Sequence, residues 1–318
     1  MAFRILVTRR IPEDGLKLLE QAGAELDICD DCLTKAQIIN RIKDKYGLIC
    51  LLSDRIDADI ITSGTQLKVI SNYAVGYDNI DLKVAGDRGI YVTNTPGVLT
   101  DATAELAWAL LLAAARRIVE ADRFCRAKKF KGWEPFLMRG PELRGKTLGI
   151  IGAGRIGTAF AMKGRGFGMN LLYYSRSRNE LLEKELGGKK VDLEELLKRS
   201  DFVSLHVPLT SETKHLLKER EFGLMKENAI LVNTSRGAVI NEKDLANALK
   251  NRRIGGAALD VYEAEPYINE DLLSLDNVVL APHIGSATIE ARAQMSIMVA
   301  QSVIAVMNGK KPENCVNM

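Results

Sequence analysis

The chain has 318 residues, 47% apolar and 27% charged, which is long for one compact core and predicts two domains. Its 44 basic and 41 acidic residues are interspersed and leave a net charge of +3, which argues against nucleic acid or a membrane surface as partner. No stretch approaches the roughly 18 apolar residues of a membrane span, and Arg4 inside the first apolar run makes MAFRILVTRR a strand rather than a signal peptide. A cytoplasmic protein is expected.

The first hundred residues alternate strand and helix. FRILVTRRI reads as a strand, PEDGLKLLEQAG as a helix ending at a glycine, ELDIC as a strand and TKAQIINRIK as a helix. The strand GLICLLS, the helix near DADIITSG, the strand LKVISNYAV, the helix DLKVAGDRG and the strand IYVTNT continue the pattern. Alternation at this spacing argues for a parallel sheet with helices on both faces.

Residues 101–127, DATAELAWALLLAAARRIVEADRFCRA, contain no Gly or Pro and predict one helix capped by Thr100 or Asp101. At ~1.5 Å per residue it would run roughly 40 Å, long enough to bridge two domains. KKFKGWEPFLMRGPELRG is irregular, and from residue 146 the alternation resumes. The strands KTLGIIG and NLLYYS flank the helix GRIGTAFAMKGRGFG. A helix at LEELLKRS follows, then the strands DFVSLHVP and AILVNTS, the helix EKDLANALKN, and the strands GGAALDV and NVVLAP. The last helix, TIEARAQMSIMVAQSVIAVMNG, is amphipathic and is expected to return to the first domain. The predicted fold is α/β, with two doubly wound parallel-sheet domains. A flavodoxin-like substrate domain would hold residues 1–99 and 285–318, and a Rossmann-type dinucleotide domain residues 100–284.

Five cysteines (Cys29, Cys32, Cys50, Cys125, Cys315) are odd in number and lack framework spacing. Cys29-Asp-Asp-Cys32 is half a zinc site with no second pair to answer it, so reduced thiols and no metal are expected.

Gly152-Ala153-Gly154-Arg155-Ile156-Gly157 follows the apolar strand TLGII and opens a helix. That context turns a common glycine pattern into a dinucleotide signal. The first glycine allows the tight turn, the second lets backbone approach a pyrophosphate, and the third permits close helix–strand packing. About 20 residues on, where an acid would hold the ribose of NAD, stands Ser175-Arg176-Ser177-Arg178. A serine and a guanidinium suit a 2′-phosphate, so NADP(H) is expected over NAD. The alternative is that Arg176 and Arg178 are a solvated surface pair.

Of the three histidines, His283 follows the strand NVVLAP, at the strand end where such sheets place ligands. His206, ending DFVSLHVP, is the second candidate base. His215 lies in a polar stretch expected to be helical and at the surface.

Taken together, SNYAVGYDNID, TNTPGVLTDATAELAWALLL, LGIIGAGRIG, LVNTSRGAVI, ALDVYEAEP and LAPHIGSAT span essentially the whole chain. In this order and spacing they resemble the NAD(P)-dependent D-2-hydroxyacid dehydrogenases, and within them the glyoxylate/hydroxypyruvate reductases. The resemblance implies reduction of glyoxylate or hydroxypyruvate to glycolate or D-glycerate. It implies that Arg236 holds the substrate's carboxylate and carbonyl oxygen, and that the amides of Val75 and Gly76 share the carboxylate. Glu265 would hydrogen-bond His283, and His283 would protonate the carbonyl oxygen. The residue types suit those tasks, because a neighbouring carboxylate stabilises imidazolium and a guanidinium stabilises negative charge on oxygen.

The resemblance also places Asp260 against the nicotinamide carboxamide, with Thr103, Thr234, Ser235 and Arg236 as further cofactor contacts. Trp133 would close the substrate pocket of a partner subunit, or pack the interface of a homodimer built on residues 100–140. The two domains would clamp cofactor and substrate, hinging near 98–101 and 284–288. The chain departs from NAD-preferring members at Ser175, and ends at Met318 without the regulatory extension of many phosphoglycerate dehydrogenases. Glu265 stands where formate dehydrogenases pair the histidine with glutamine. Other readings are a related dehydrogenase acting on 2-ketogluconate, phosphoglycerate or phosphite, and a cofactor-sensing binding protein like the co-repressors of this fold.

Overall fold

The computed structural model describes residues 3–318, so Met1 and Ala2 of the expected first strand lie outside the described residues. The chain forms two compact units, Met1–Leu99 with Ser286–Met318, and Thr100–Gly285.

In the first unit the strands β1 (Phe3–Val7), β2 (Ala24–Ile28), β3 (Gly47–Leu51), β4 (Val69–Tyr73) and β5 (Tyr91–Thr93) are parallel. Their order, β2-β1-β3-β4-β5, is that of a flavodoxin-like sheet. The helices α1 (Glu13–Gln21), α2 (Lys35–Ile42), α3 (Ala58–Ser63) and α4 (Leu82–Asp87) connect them. Thr34, Asp57 and Asp81 each accept a backbone amide at a helix start, which satisfies donors the first turn leaves open. The C-terminal helix Ile289–Met307 packs on α1 and β4. It comes so close to α1 that a Cβ at Gly15 would lie 2.0 Å from the Ser296 carbonyl oxygen.

The second unit contains α5 (Thr100–Ala115), α6 (Ile118–Arg126), β6 (Thr147–Ile151), α7 (Arg155–Lys163), β7 (Asn170–Tyr174), α8 (Glu180–Leu186) and β8 (Lys189–Lys190). It continues with α9 (Leu193–Arg199), β9 (Phe202–Leu205), α10 (Glu219–Leu224), β10 (Ile230–Asn233), α11 (Glu242–Lys250), β11 (Gly256–Leu259), α12 (Glu270–Leu273) and β12 (Val278–Leu280). Among the described residues its parallel strands run β12-β11-β10-β9-β6-β7-β8, a Rossmann order that reverses between β6 and β9. The central strands are nearly continuous apolar runs, buried from Ile230 to Asn233 and from Gly256 to Leu259, as sheets covered on both faces require.

Two expectations need correcting. Residues 101–127 are two helices, because Arg117 turns the chain at a φ of 52°. The sequence carries no stop there; tertiary packing supplies it. Gly140 lies against the end of α5, where a Cβ would stand 1.9 Å from the Ala115 carbonyl oxygen. Arg117 then pairs with Glu120 at 2.6 Å across the new first turn. Nor does α5 stand apart as a bridge: it packs on α7, β10, β11 and β12 inside the second unit. Trp108 anchors it there, stacked between Phe160 and Phe167 at 4.6 Å and donating Nε1 to the Phe160 carbonyl at 2.7 Å.

The five cysteines are free. Among the described residues no group of three or more His, Cys, Asp and Glu side chains could hold a metal ion. No described helix is long and apolar enough to cross a membrane.

Candidate active site

Because the strands of the second unit are all parallel, their carboxyl ends fall on one edge of the sheet, where α/β proteins bind ligands. The glycine turn follows β6, Ser175 follows β7, His206 follows β9, Thr234 to Arg236 follow β10, Asp260 follows β11 and His283 follows β12.

The three glycines of the turn have separate physical reasons. Gly152 has a φ of 101°, and a Cβ there would meet the His206 carbonyl group at 2.7 Å. Gly157 presses the first turn of α7 onto Gly152, where a Cβ would lie 2.1 Å from the carbonyl oxygen. At Gly154, which caps α7, a Cβ would meet no protein atom within 4 Å. That opening, beside the unpaired amides of Arg155 and Ile156 in the first turn, fits a pyrophosphate. The Ala153 carbonyl is fixed from behind by Asn179 Nδ2 at 3.0 Å. Thr234 Oγ1, buried after β10, has no hydrogen-bond partner among the described residues, as expected of a hydroxyl that serves a ligand.

After β7 the two arginines differ. Arg178 is committed to Glu183, Nη2 to Oε2 at 2.6 Å. No hydrogen bond or ion pair among the described residues uses the Arg176 side chain; only its carbonyl is bound, by Lys190 Nζ at 2.9 Å. Ser177 is exposed beside it.

Glu265 and His283 are in direct contact, Oε2 to Nδ1 at 2.7 Å, and the Tyr262 amide donates to the other carboxylate oxygen at 3.0 Å. Burial alone would push the Glu265 carboxyl up. The His283 hydrogen bond and charge, the Tyr262 amide and the charge of Arg236 outweigh it and hold the group below its usual range. An ionised carboxylate only accepts, so the shared proton belongs to Nδ1 and leaves Nε2 to exchange protons elsewhere.

His283 adopts a φ of 54°, an uncommon conformation for a residue with a side chain. Asp260 sustains it: fully buried, it accepts the Ile284 and Gly285 amides, one on each carboxylate oxygen, both at 2.7 Å. Burial pushes the Asp260 carboxyl up against the pull of those amides and of His283. Thr103 of α5 lies against this turn, 3.4 Å from where a Gly285 Cβ would stand.

Arg236 reaches the same loops through its neighbours. Asn233 donates Nδ2 to the Arg236 carbonyl at 2.9 Å and accepts from Ser235 Oγ at 2.8 Å and the Ser235 amide at 3.0 Å, shaping the turn. Gly237 then packs on the peptide between Tyr262 and Glu263, where a Cβ would fall 1.8 Å from the Tyr262 carbonyl carbon. Sequence reasoning alone misses Asn233 and Gly237. The one available signal is the polar amide that closes the apolar strand ILVN.

Two expected positions, His206 and His215, stand differently. His206 is held by Ser204 Oγ at 2.9 Å and leans on Phe160, and burial pushes its pKa down to about 3; it stays neutral near pH 7 and is too weakly basic for the role of base. His215 lies in a turn, not a helix, with Nε2 2.5 Å from Glu263 Oε1. Trp133 is 85% exposed in the irregular segment, near exposed Phe130 and Phe136 in sequence. Val75 and Gly76 belong to the first unit. Their carbonyls are taken up by Asn94 at 2.7 Å and Asn72 at 2.8 Å, while neither amide donates to an acceptor among the described residues.

A Rossmann sheet with a fitted glycine turn and a carboxylate–histidine pair at its carboxyl edge defines a dinucleotide-binding oxidoreductase. Residues 108–285 match the family model for the D-isomer specific 2-hydroxyacid dehydrogenase NAD-binding domain. A glyoxylate reductase of Thermococcus litoralis is 53% identical over 320 residues, covering 99% of this chain and 96% of the relative. A crystal structure of a protein from Thermus thermophilus superposes with a TM-score of 0.93 at 44% identity, covering 98% of this chain and 99% of that one. The NADPH-dependent glyoxylate/hydroxypyruvate reductase of Sinorhizobium meliloti, solved with NADP and malonate, gives 0.88 at 31% identity, covering 99% and 97%. The chain belongs to the D-2-hydroxyacid dehydrogenase family.

Proposed function

We propose that this enzyme reduces a small 2-oxo acid, glyoxylate or hydroxypyruvate, to the 2-hydroxy acid, with NADPH as preferred cofactor. The observation that carries the proposal is the Glu265–His283 pair, fixed by Asp260 on the sheet edge that also bears the glycine turn. Relatives of this chain are named for glyoxylate reduction, and one was solved with NADP.

When bound, the nicotinamide supplies a hydride to the carbonyl carbon. The protein's task is then the proton and the charge. His283, held at Nδ1 by ionised Glu265, donates a proton from Nε2 to the carbonyl oxygen. Arg236 binds the substrate carboxylate and the oxygen on which negative charge develops. The amides of Val75 and Gly76, which donate to no acceptor among the described residues, would serve as donors to a carboxylate. Gly152 to Gly157, Thr234, Ser235 and Thr103 would hold the dinucleotide, and Asp260 contributes chiefly by holding the histidine turn.

NADPH is favoured by Ser175 and the uncommitted Arg176, whereas Arg178 is already paired. The exposed Phe130, Trp133 and Phe136 are the kind of apolar side chains a homodimer would cover, with Trp133 toward the partner's substrate. A panel of glyoxylate, hydroxypyruvate, pyruvate and 2-ketogluconate tests the substrate assignment. Glyoxylate or hydroxypyruvate should give the highest kcat/KM; a preference of about tenfold or more for either of the others would overturn it.

A further inference from the structure

One cluster of titratable side chains outside the groups assigned to the reaction stands against the loop that carries Glu265. His215 has a φ of 49°, in the left-handed region that favours glycine, and a residue stays there only when its surroundings hold it. It is held at two points. Its amide donates to the Ala238 carbonyl at 2.8 Å, in the turn after Arg236, and its Nε2 lies 2.5 Å from Glu263 Oε1. The second Glu263 oxygen accepts the Glu242 amide at 3.3 Å. Glu242, 7% exposed at the start of α11, accepts the Glu263 amide in return. The turn bearing His215, the start of α11 and the segment Tyr262–Glu265 are thus closed on one another, and Tyr262 holds Glu265 directly.

We propose that His215 is a positioning residue which, through Glu263, fixes the Tyr262–Glu265 segment and so keeps Glu265 on His283. The proposal rests on the reading of Glu265 and His283 as the acid–base pair. Around this segment Glu263 faces His215 and Glu242, and Glu242 faces Glu263 and Glu265. Glu265 faces His283 and Arg236, and Asp260 faces His283 and Glu265. Burial already pushes the Glu242 carboxyl up. Without the imidazole, Glu263 repels Glu242 with no donor at its outer oxygen, and the segment loosens. A wandering Glu265 supports the protonated pair less, so the alkaline limb of the rate profile, which belongs to the pair, moves to lower pH.

The test is the pH profile of kcat/KM for glyoxylate with NADPH, measured for the full chain and for His215→Ala, His215→Gln, Glu265→Gln and the double variant His215→Ala/Glu265→Gln. In His215→Ala the alkaline limb should move down by about half a pH unit and kcat should fall about three- to tenfold, with KM for NADPH unchanged. His215→Gln, whose side-chain amide can still donate to Glu263, should recover most of both. In the double variant the limb should move no further than in Glu265→Gln alone. A His215→Ala profile that superposes on wild type, beside a displaced Glu265→Gln profile, would overturn this proposal alone. So would an effect of His215→Ala that adds in full to that of Glu265→Gln. An unmoved Glu265→Gln profile would overturn the acid–base reading and this proposal with it.

Discussion

At the scale of single residues, the chemistry depends on which nitrogen of His283 carries the working proton. In the proposed reaction Glu265 would settle that by holding Nδ1 at 2.7 Å, which leaves Nε2 for the substrate. His283→Ala should therefore lower kcat by about 10²- to 10⁴-fold, and Arg236→Ala should raise KM for the 2-oxo acid as well as lowering kcat. Steady-state kinetics decide both, and wild-type kcat in His283→Ala would remove its role. The arginines after β7 give a second contrast. Arg176→Ala should cut the NADPH-over-NADH ratio of kcat/KM by about 10- to 100-fold, the loss of one or two charge-assisted hydrogen bonds. Arg178→Ala, whose side chain is already bound by Glu183, should change that ratio by no more than about threefold. Equal effects would mean that both arginines serve the 2′-phosphate.

At the scale of elements, the glycine turn separates folding from binding. Gly157→Ala forces a Cβ to 2.1 Å from a backbone oxygen that no side-chain motion can relieve, so it should destabilise the unit by about 1–3 kcal/mol. Gly154→Ala meets no protein atom and should leave the melting temperature unchanged while weakening dinucleotide binding about tenfold or more. Calorimetric melting and titration of NADPH distinguish the two; equal losses of stability would refute the assignment. This turn is legible in the sequence because the strand before it and the helix after it are both written in local pattern. The strands of both sheets except β8 are legible for the same reason, as apolar runs bounded by polar turns; β8, Lys189–Lys190, is two exposed lysines with no such pattern. What local pattern does not carry is contact with distant chain. The break at Arg117 is imposed by Gly140, and the short helices α8, α10 and α12 escape a sequence reading because one or two turns give too few periods to recognise. At the site, motifs point to His283 and Glu265. Asn233, which shapes the Arg236 turn, and Asp260's hold on the Ile284 and Gly285 amides need coordinates.

At the scale of the whole molecule, acid stability reports on a group that the sequence offers as a base. His206 has its pKa pushed down from 6.5 to about 3, so the folded chain excludes a proton that the unfolded chain binds. Its depressed value means that stability is unaffected above the unfolded pKa of about 6.5 and declines as pH falls toward the folded value. Between about pH 4 and 6 this one proton steepens the decline by about 1.4 kcal/mol per pH unit. His206→Gln should flatten the slope by that amount in urea titrations across the range; an unchanged slope would mean that His206 is protonated in the fold. Asp27 and Asp201, whose carboxyls lie below the usual 3.8 despite partial burial because Arg41 with Lys45, and the Thr147 amide with Lys226, outweigh it, act in a lower window. Their stabilisation is complete above the unfolded carboxylate pKa and is lost as pH falls through the folded value.

The claim that joins these scales is that one chain reduces glyoxylate with NADPH. It is tested most directly by kcat/KM for glyoxylate with NADPH and with NADH, measured side by side on the wild-type chain. Rapid turnover is expected with NADPH, and a value at least about tenfold lower with NADH. Turnover that favours NADH would contradict the cofactor assignment, and no turnover with either would contradict the reaction.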